Sequence, residues 1–202
     1  MDKKEYTFKI LVIGDPKTGK TSIVKKYMGN FFTDRYKATV GVDFGLKIIQ
    51  YDPKTEVKLQ FWDIMGQDQT KKLPRVYRAG AVGCFIVYDI TNRKSFESAS
   101  LWKRELDSSV QQNNGKNIPC ILLGNKCDLE REPNVSDMKA FCQENGYTNF
   151  FETSAKENIG IKEAAMSLIK NILKDQKPQV DRRETIAVVQ LKNNERKSRS
   201  CC

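Results

Sequence analysis

The sequence predicts an α/β domain, a mostly parallel sheet with helices on both faces. Three observations predict it. Several runs turn continuously apolar, as "ILVI", "CFIVY" and "CILL" do, which suits strands buried on both faces of a parallel sheet. Stretches of helical period alternate with those runs, the pattern of strand–helix–strand units. The length, 202 residues, is enough for one well-buried core and short for two.

In chain order, residues 6–13, "YTFKILVI", begin mixed and end apolar as a first strand, and "GKTSIVKKYM" follows as a helix. Next, "VDFGLKIIQY" and "EVKLQFWDI" alternate with period two around "DPKT". Asp52 and Pro53 are turn formers, so this pair predicts an antiparallel hairpin. "AVGCFIVYDI" and "IPCILLGN" read as further buried strands, and "NFFETS" as a shorter one. Helical patterns cover residues 92–110, 135–146 and 157–173, each behind a turn or capping residue: Asn92, Ser136 and Asn158. An open sheet of this kind places its ligand crevice beyond the carboxyl ends of the strands. After Lys174 the periodicity fails. Residues 174–202 are charged or polar apart from "IAVVQL" and read as a disordered tail, so the folded domain is expected over residues 1–173.

Composition narrows the chemistry. There is no histidine, which removes Ser–His and Cys–His nucleophile pairs and every His-ligated metal. The six cysteines show neither zinc-knuckle nor disulfide-framework spacing, so reduced cytosolic thiols are expected. No leader-like succession opens the chain and no apolar run approaches the roughly 20 residues that span a bilayer, so a soluble chain is expected. The formal charge of +10, from 35 basic and 25 acidic residues, suits phosphates, nucleic acid or an anionic membrane without choosing among them.

Residues 14–21, "GDPKTGKT", make the choice. They fit G-x-x-x-x-G-K-[ST] and stand between an apolar strand and a helix. Successive backbone N–H groups and the helix N-terminus are expected to wrap a polyphosphate, with Gly14 and Gly19 letting the main chain approach it. Lys20 then reaches the outer phosphates and Thr21 ligands Mg²⁺. Asp63, at the end of the second hairpin strand, is the carboxylate such a metal needs. In "GNKCDL", Asp128 can accept two hydrogen bonds from the ring N–H and exocyclic amine of guanine, a donor pattern adenine lacks. Asn125 is expected to tie that loop to the phosphate loop, and the stem of Lys126 to cover one face of the base. In "ETSAK", the Ala155 N–H is expected to donate to the guanine keto oxygen.

Those loops, in that order, resemble the G-box motifs of a Ras-superfamily small GTPase of the Rab family, over about residues 6–173 plus the terminal "CC". The resemblance implies a P-loop small-GTPase domain: a six-stranded, mostly parallel sheet flanked by five helices. It also implies two nucleotide-dependent segments, switch I near residues 33–44 and switch II near 64–80. Asp15, Pro16, Lys17, Thr18 and Ser22 would complete the phosphate cradle, and Leu129, Ser154 and Lys156 the base site. Phe32 matches the ring packed on the guanine, Tyr36 the ring that closes over the phosphates, and Thr39 the switch threonine that ligands Mg²⁺ beside Thr21 and Asp63. Gly66 would donate to the γ-phosphate and Gln67 would orient the attacking water, forming the catalytic set with Lys20.

Phe44, Trp62 and Tyr77 match the aromatics that Rab proteins present to effectors, with core packing the competing role for Trp62. Cys201 and Cys202, behind the basic "KNNERKSRS", resemble a substrate for two geranylgeranyl groups. Two matter because one lipid anchors only marginally. The implied partners are a guanine nucleotide exchange factor, a GTPase-activating protein, effectors, a prenylation escort and a GDP-dissociation inhibitor, with no nucleic acid. The implied place is the cytoplasmic face of an intracellular membrane, in exchange with cytosol. "WDI", "ATVGVDFGLK" and "FETSAKENI" further resemble the Rab branch of lysosome-related organelles.

Departures gather around the hydrolytic centre. Met65 replaces a small alanine, "DQT" an acidic-basic-aromatic triplet, and Arg78 a second tyrosine, while Pro16 and Lys17 stand where relatives carry glycines or small residues. Pro16 has no N–H to offer the cradle. Slow GTP hydrolysis is therefore expected, and a scaffold that holds GTP with negligible hydrolysis is the competing reading.

Overall fold

The computed structural model describes residues 3–29, 33, 37–66, 72–112, 115–131 and 138–175. β1 (Lys4–Ile13) leads into α1 (Lys20–Met28), and β2 (Val42–Asp52) and β3 (Thr55–Ile64) form a hairpin. Then come α2 (Arg75–Arg78), β4 (Ala81–Asp89), α3 (Arg93–Ser109), β5 (Cys120–Asn125), α4 (Met138–Glu144), β6 (Asn149–Thr153) and α5 (Ile161–Asp175). By contacts the chain divides into Met1–Ile172 and Leu173–Cys202.

One sheet runs β2-β3-β1-β4-β5-β6, and only its β2–β3 pair is antiparallel. The α/β architecture read from the sequence, six strands and five helices, is the one observed. Its central strands are apolar because both faces are covered. Ile10, Leu11, Val12 and Ile13 of β1, Ile86 and Val87 of β4, and Ile121, Leu122 and Leu123 of β5 are each at most 1% exposed. Burying such a side chain stabilises by about 1.5–3 kcal/mol. α5 turns Ile161, Ala164, Ala165, Leu168, Ile169 and Ile172 inward at helical spacing. Edge strand β2 alternates instead, leaving Phe44, Leu46 and Ile48 exposed on one face. Cys84, Cys120 and Cys142 are buried free thiols.

Asn92 caps α3, its side chain accepting from the Ser95 N–H at 3.3 Å. Asn158 does not cap α5: it sits at φ 61° inside a turn, and the helix begins at Ile161, after Gly160. The cause is the tight bridge between Ser154 and Ile159, which occupies the residues the periodicity assigned to the first turn. Ser136 lies outside the described residues.

Parallel pairing brings the carboxyl ends of β1, β3, β4, β5 and β6 to one edge: Val12 faces Asp63, Asp89 faces Asn125, and Asn125 faces Thr153. β1 lies between β3 and β4, so the chain leaves it at a topological switch point, where open α/β sheets hold ligands.

Candidate functional site

The loop from Gly14 to Gly19 folds over that edge. It needs glycine at both ends. Gly14 has φ 140° and Gly19 φ 93°, and a Cβ would lie 2.2 Å from the Val87 carbonyl oxygen at the first and 2.1 Å from Asn125 Nδ2 at the second. Lys17 is held at φ 65°, a conformation side chains seldom take. α1 begins here with no acidic residue in its first turn, so nothing there opposes an anion at its positive dipole end. Lys20 is buried, its Nζ donating to the carbonyl oxygens of Gly14 at 2.9 Å and Asp15 at 2.7 Å. Thr18 Oγ1 donates to the same Asp15 oxygen at 2.9 Å.

Beside the loop, three side-chain oxygens converge. Thr21 Oγ1 lies 2.8 Å from Thr39 Oγ1 and donates to Asp63 Oδ2. Asp63 is 1% exposed, yet its Oδ1 has no hydrogen-bond partner among the described residues. Burial pushes its carboxyl up to about 6, against the hydrogen bond from Thr21 and the charge of Lys20. A buried carboxylate oxygen left orphaned beside two hydroxyls is a hard-oxygen set that fits Mg²⁺.

At the other end Asn125 is the knot. It is 2% exposed, and its Nδ2 donates to the Thr18 carbonyl at 2.9 Å while its Oδ1 accepts from Thr153 Oγ1 and from the Ala155 N–H, both at 3.3 Å. Phosphate loop, β5 loop and β6 loop are thereby joined through one side chain. Asp128 Oδ1 accepts from Ser154 Oγ at 2.6 Å, which holds the carboxylate in place. Lys126, at φ 69°, pairs its Nζ with Asp89 Oδ2, and Asp89 is itself braced by Thr91.

These loops border one cavity of about 750 Å³, whose walls include Pro16, Gly19, Thr21, Ser22, Thr39, Gly66, Asn125, Asp128, Leu129 and Ala155. Lys17, Lys20, Lys25, Lys37, Lys126 and Lys156 also line it, against the single carboxylate of Asp128 among its lining residues. Such an excess of cations suits a polyanion.

Across the cavity Gly66 packs on the phosphate loop; a Cβ there would lie 2.5 Å from the Gly14 carbonyl oxygen and 2.6 Å from Pro16 N. Met65 does not point at the loop. Its Sδ accepts from the Gly41 N–H at 3.3 Å and its own N–H donates to the Gly41 oxygen at 3.0 Å, so the side chain crosses to the segment that carries Thr39. Nearby, the Phe44 and Trp62 rings meet edge to face, 4.5 Å between centroids, and Lys9 Nζ stands 3.4 Å over Trp62. Trp62 and Tyr77 pack partly on the core, whereas Phe44 is 61% exposed, with Val40 and Val76 also exposed. Phe32, Tyr36, Gln67, Cys201 and Cys202 lie outside the described residues.

Sequence reasoning missed three contacts. Trp102 of α3 donates from Nε1 to Asp15 Oδ1 at 2.9 Å. Arg78 bonds the Leu73 carbonyl through Nε at 3.1 Å and the Ser109 carbonyl through Nη1. Asp89 holds Lys126. Only the first had a signal: a buried indole N–H needs an acceptor.

Residues 9–174 match the profile of the Ras family. The chain is 49% identical over 175 residues to Ras-related protein Rab-32A of Dictyostelium discoideum, covering 85% of this chain and 80% of that protein. It is 47% identical over 174 residues to Ras-related protein Rab-32 of Homo sapiens, covering 85% and 77%. To Ras-related protein Rab-7L1 of Homo sapiens it is 43% identical over 176 residues, 87% of each. The match to the family profile and this degree of likeness along the chain lead to one statement: the protein belongs to the Ras family and, within it, to the Rab group of small GTPases.

Proposed function

We propose that the chain is a Mg²⁺-dependent GTP/GDP switch that hydrolyses GTP slowly and recruits effectors to the cytoplasmic face of an intracellular membrane. One observation carries this reading: a single cavity joins the lysines of the phosphate loop to the Asp128 carboxylate through Asn125, with the Thr21 and Thr39 hydroxyls on its wall and Asp63 bonded to Thr21. Gly14 to Ser22 wrap the phosphates by backbone and helix N-terminus, and Lys20 leaves its two carbonyl partners for the outer phosphates. Thr21, Thr39 and Asp63 would hold Mg²⁺, which would supply charge neutralisation at the phosphates. Thr39 belongs to switch I, so its hydroxyl, 2.8 Å from that of Thr21, would tie that segment to the metal site. Gly66 donates to the γ-phosphate and Gln67 orients water.

At the base end Asp128 reads guanine, with Asn125, Lys126, Leu129, Ser154, Ala155 and Lys156 around it. Lys126 meets the base with its stem while its ammonium stays on Asp89. The Ala155 N–H exchanges its long bond to Asn125 for the guanine oxygen. Phe32 and Tyr36 close the site over base and phosphates. Residues 1–173 form this domain and 174–202 the tail, whose Cys201 and Cys202 take two geranylgeranyl groups. Phe44, Trp62 and Tyr77 present the effector surface. The resemblance of "WDI", "ATVGVDFGLK" and "FETSAKENI" to that Rab branch supports service at lysosome-related organelles. An exchange factor, an activating protein, a prenylation escort and a GDP-dissociation inhibitor complete the cycle.

Guanine selectivity tests the reading. The parent chain binds GTP far more tightly than ATP, and Asp128→Asn weakens GTP by about 2–4 kcal/mol, because a charged acceptor is lost. Equal affinity of the parent for GTP and ATP rejects it.

A further inference from the structure

The phosphate loop carries an acid where it must receive a polyanion. Asp15 is the second residue of "GDPKTGKT", and its carbonyl oxygen is what Lys20 and Thr18 donate to. Its carboxylate oxygen Oδ1 is bonded from the other side by Trp102, 87 residues along the chain, with Nε1 at 2.9 Å. Trp102 is 1% exposed, so this donor is delivered from inside the core. The helix that delivers it is fixed on the same side. Trp102, Glu105 and Ser109 follow one another at helical spacing on α3; Glu105 Oε1 accepts from the Leu73 N–H at 3.0 Å, and the Ser109 carbonyl accepts from Arg78.

We propose that Trp102 is a positioning residue of the GTP site. Its indole N–H holds the Asp15 carboxylate on the α3 side of the phosphate loop, so that the acid does not face the phosphates. The inference rests on the GTP-binding reading above. Like charges a few ångströms apart in a partly buried site repel strongly, and a hydrogen bond from a rigid indole fixes where one of them lies. Asp15 sets the Lys20 perch through its backbone, so the same contact keeps that lysine poised beside the phosphates while the side chain is kept away from them.

The test is GTP dissociation from the full chain carrying Trp102→Phe, which keeps a ring and removes the N–H. The expected result is about tenfold faster GTP release, shrinking as salt screens the freed carboxylate. Asp15→Asn keeps an oxygen for Trp102 and removes the charge; in that background Trp102→Phe should cost less than about twofold. Trp102 acting merely as packing would produce the same loss in both backgrounds, without salt dependence, and that outcome overturns the proposal. Unchanged GTP release in Trp102→Phe also overturns it, whereas a parent chain that fails to bind GTP rejects the underlying reading instead. Should Trp102→Phe not fold, Trp102→Met takes its place: faster GTP release that shrinks with added salt supports the proposal, and parent-like release or a loss indifferent to salt refutes it.

Discussion

Replacing Asn125 by Ala should damage the nucleotide site more than any change to a residue that meets the ligand at only one point. The side chain is 2% exposed and makes three bonds: to the Thr18 carbonyl at 2.9 Å, and from Thr153 Oγ1 and the Ala155 N–H at 3.3 Å each. With GTP bound the Ala155 N–H has the guanine oxygen, so truncation leaves the Thr18 carbonyl and the Thr153 hydroxyl without this partner in a dry place, at about 1–2 kcal/mol each. The total is about 2–4 kcal/mol. Because the bonds connect the phosphate loop to both base loops, most of that loss should fall on binding, where it corresponds to roughly 30- to 1,000-fold weaker GTP. GTP affinity from nucleotide competition and the denaturant midpoint of the nucleotide-loaded chain should be measured together. A loss below about tenfold in affinity, with under 1 kcal/mol in stability, would refute the claim that Asn125 joins the loops.

Three further outcomes are expected. Thr21→Asn removes a hydroxyl that bonds both Thr39 and Asp63, so the preference for GTP over GDP in Mg²⁺ should fall at least about tenfold by competition binding; an unchanged ratio would place the metal elsewhere. Met65→Ala frees the stretch before Gln67 from its thioether contact with Gly41, and single-turnover hydrolysis should rise about three- to tenfold, the equivalent of one weak hydrogen bond, with GTP affinity little changed; an equal or slower variant would make Met65 harmless packing. Deleting Cys201 and Cys202 should release the protein from membranes, while neutralising Lys192, Arg196, Lys197 and Arg199 only weakens attachment, as flotation of membranes would show.

What the sequence made legible follows from how local each signal is. The hairpin could be read because both strands alternate with period two and "DPKT" is a turn in its own right. The phosphate loop could be read because glycine, lysine and threonine act within eight residues, where spacing and geometry are nearly the same thing. The start of α5 was displaced because Asn158 looks like a cap by composition, whereas its backbone is taken by the bridge between Ser154 and Ile159.

A buried indole N–H calls for an acceptor, but nothing local names Asp15 as the partner of Trp102. On α3, Trp102 continues the apolar face with Phe96, Ala99 and Leu106, and a ring in such a row reads as core, which it is. The chemistry lies in one polar atom at its edge, and the partner of that atom is decided by where β1 ends relative to α3, a tertiary fact. Met65 is the converse. The sequence places a long side chain where relatives carry a small alanine and leaves its direction open. The choice needed the position of Gly41, which pairs with Met65 only because β2 and β3 are in register there, with Val42 opposite Ile64. Residues whose role depends on register or on helix placement are therefore the ones that motif reading leaves open. In this chain they sit immediately beside the motifs, where they can alter how fast the nucleotide leaves or is cleaved without altering which nucleotide is bound.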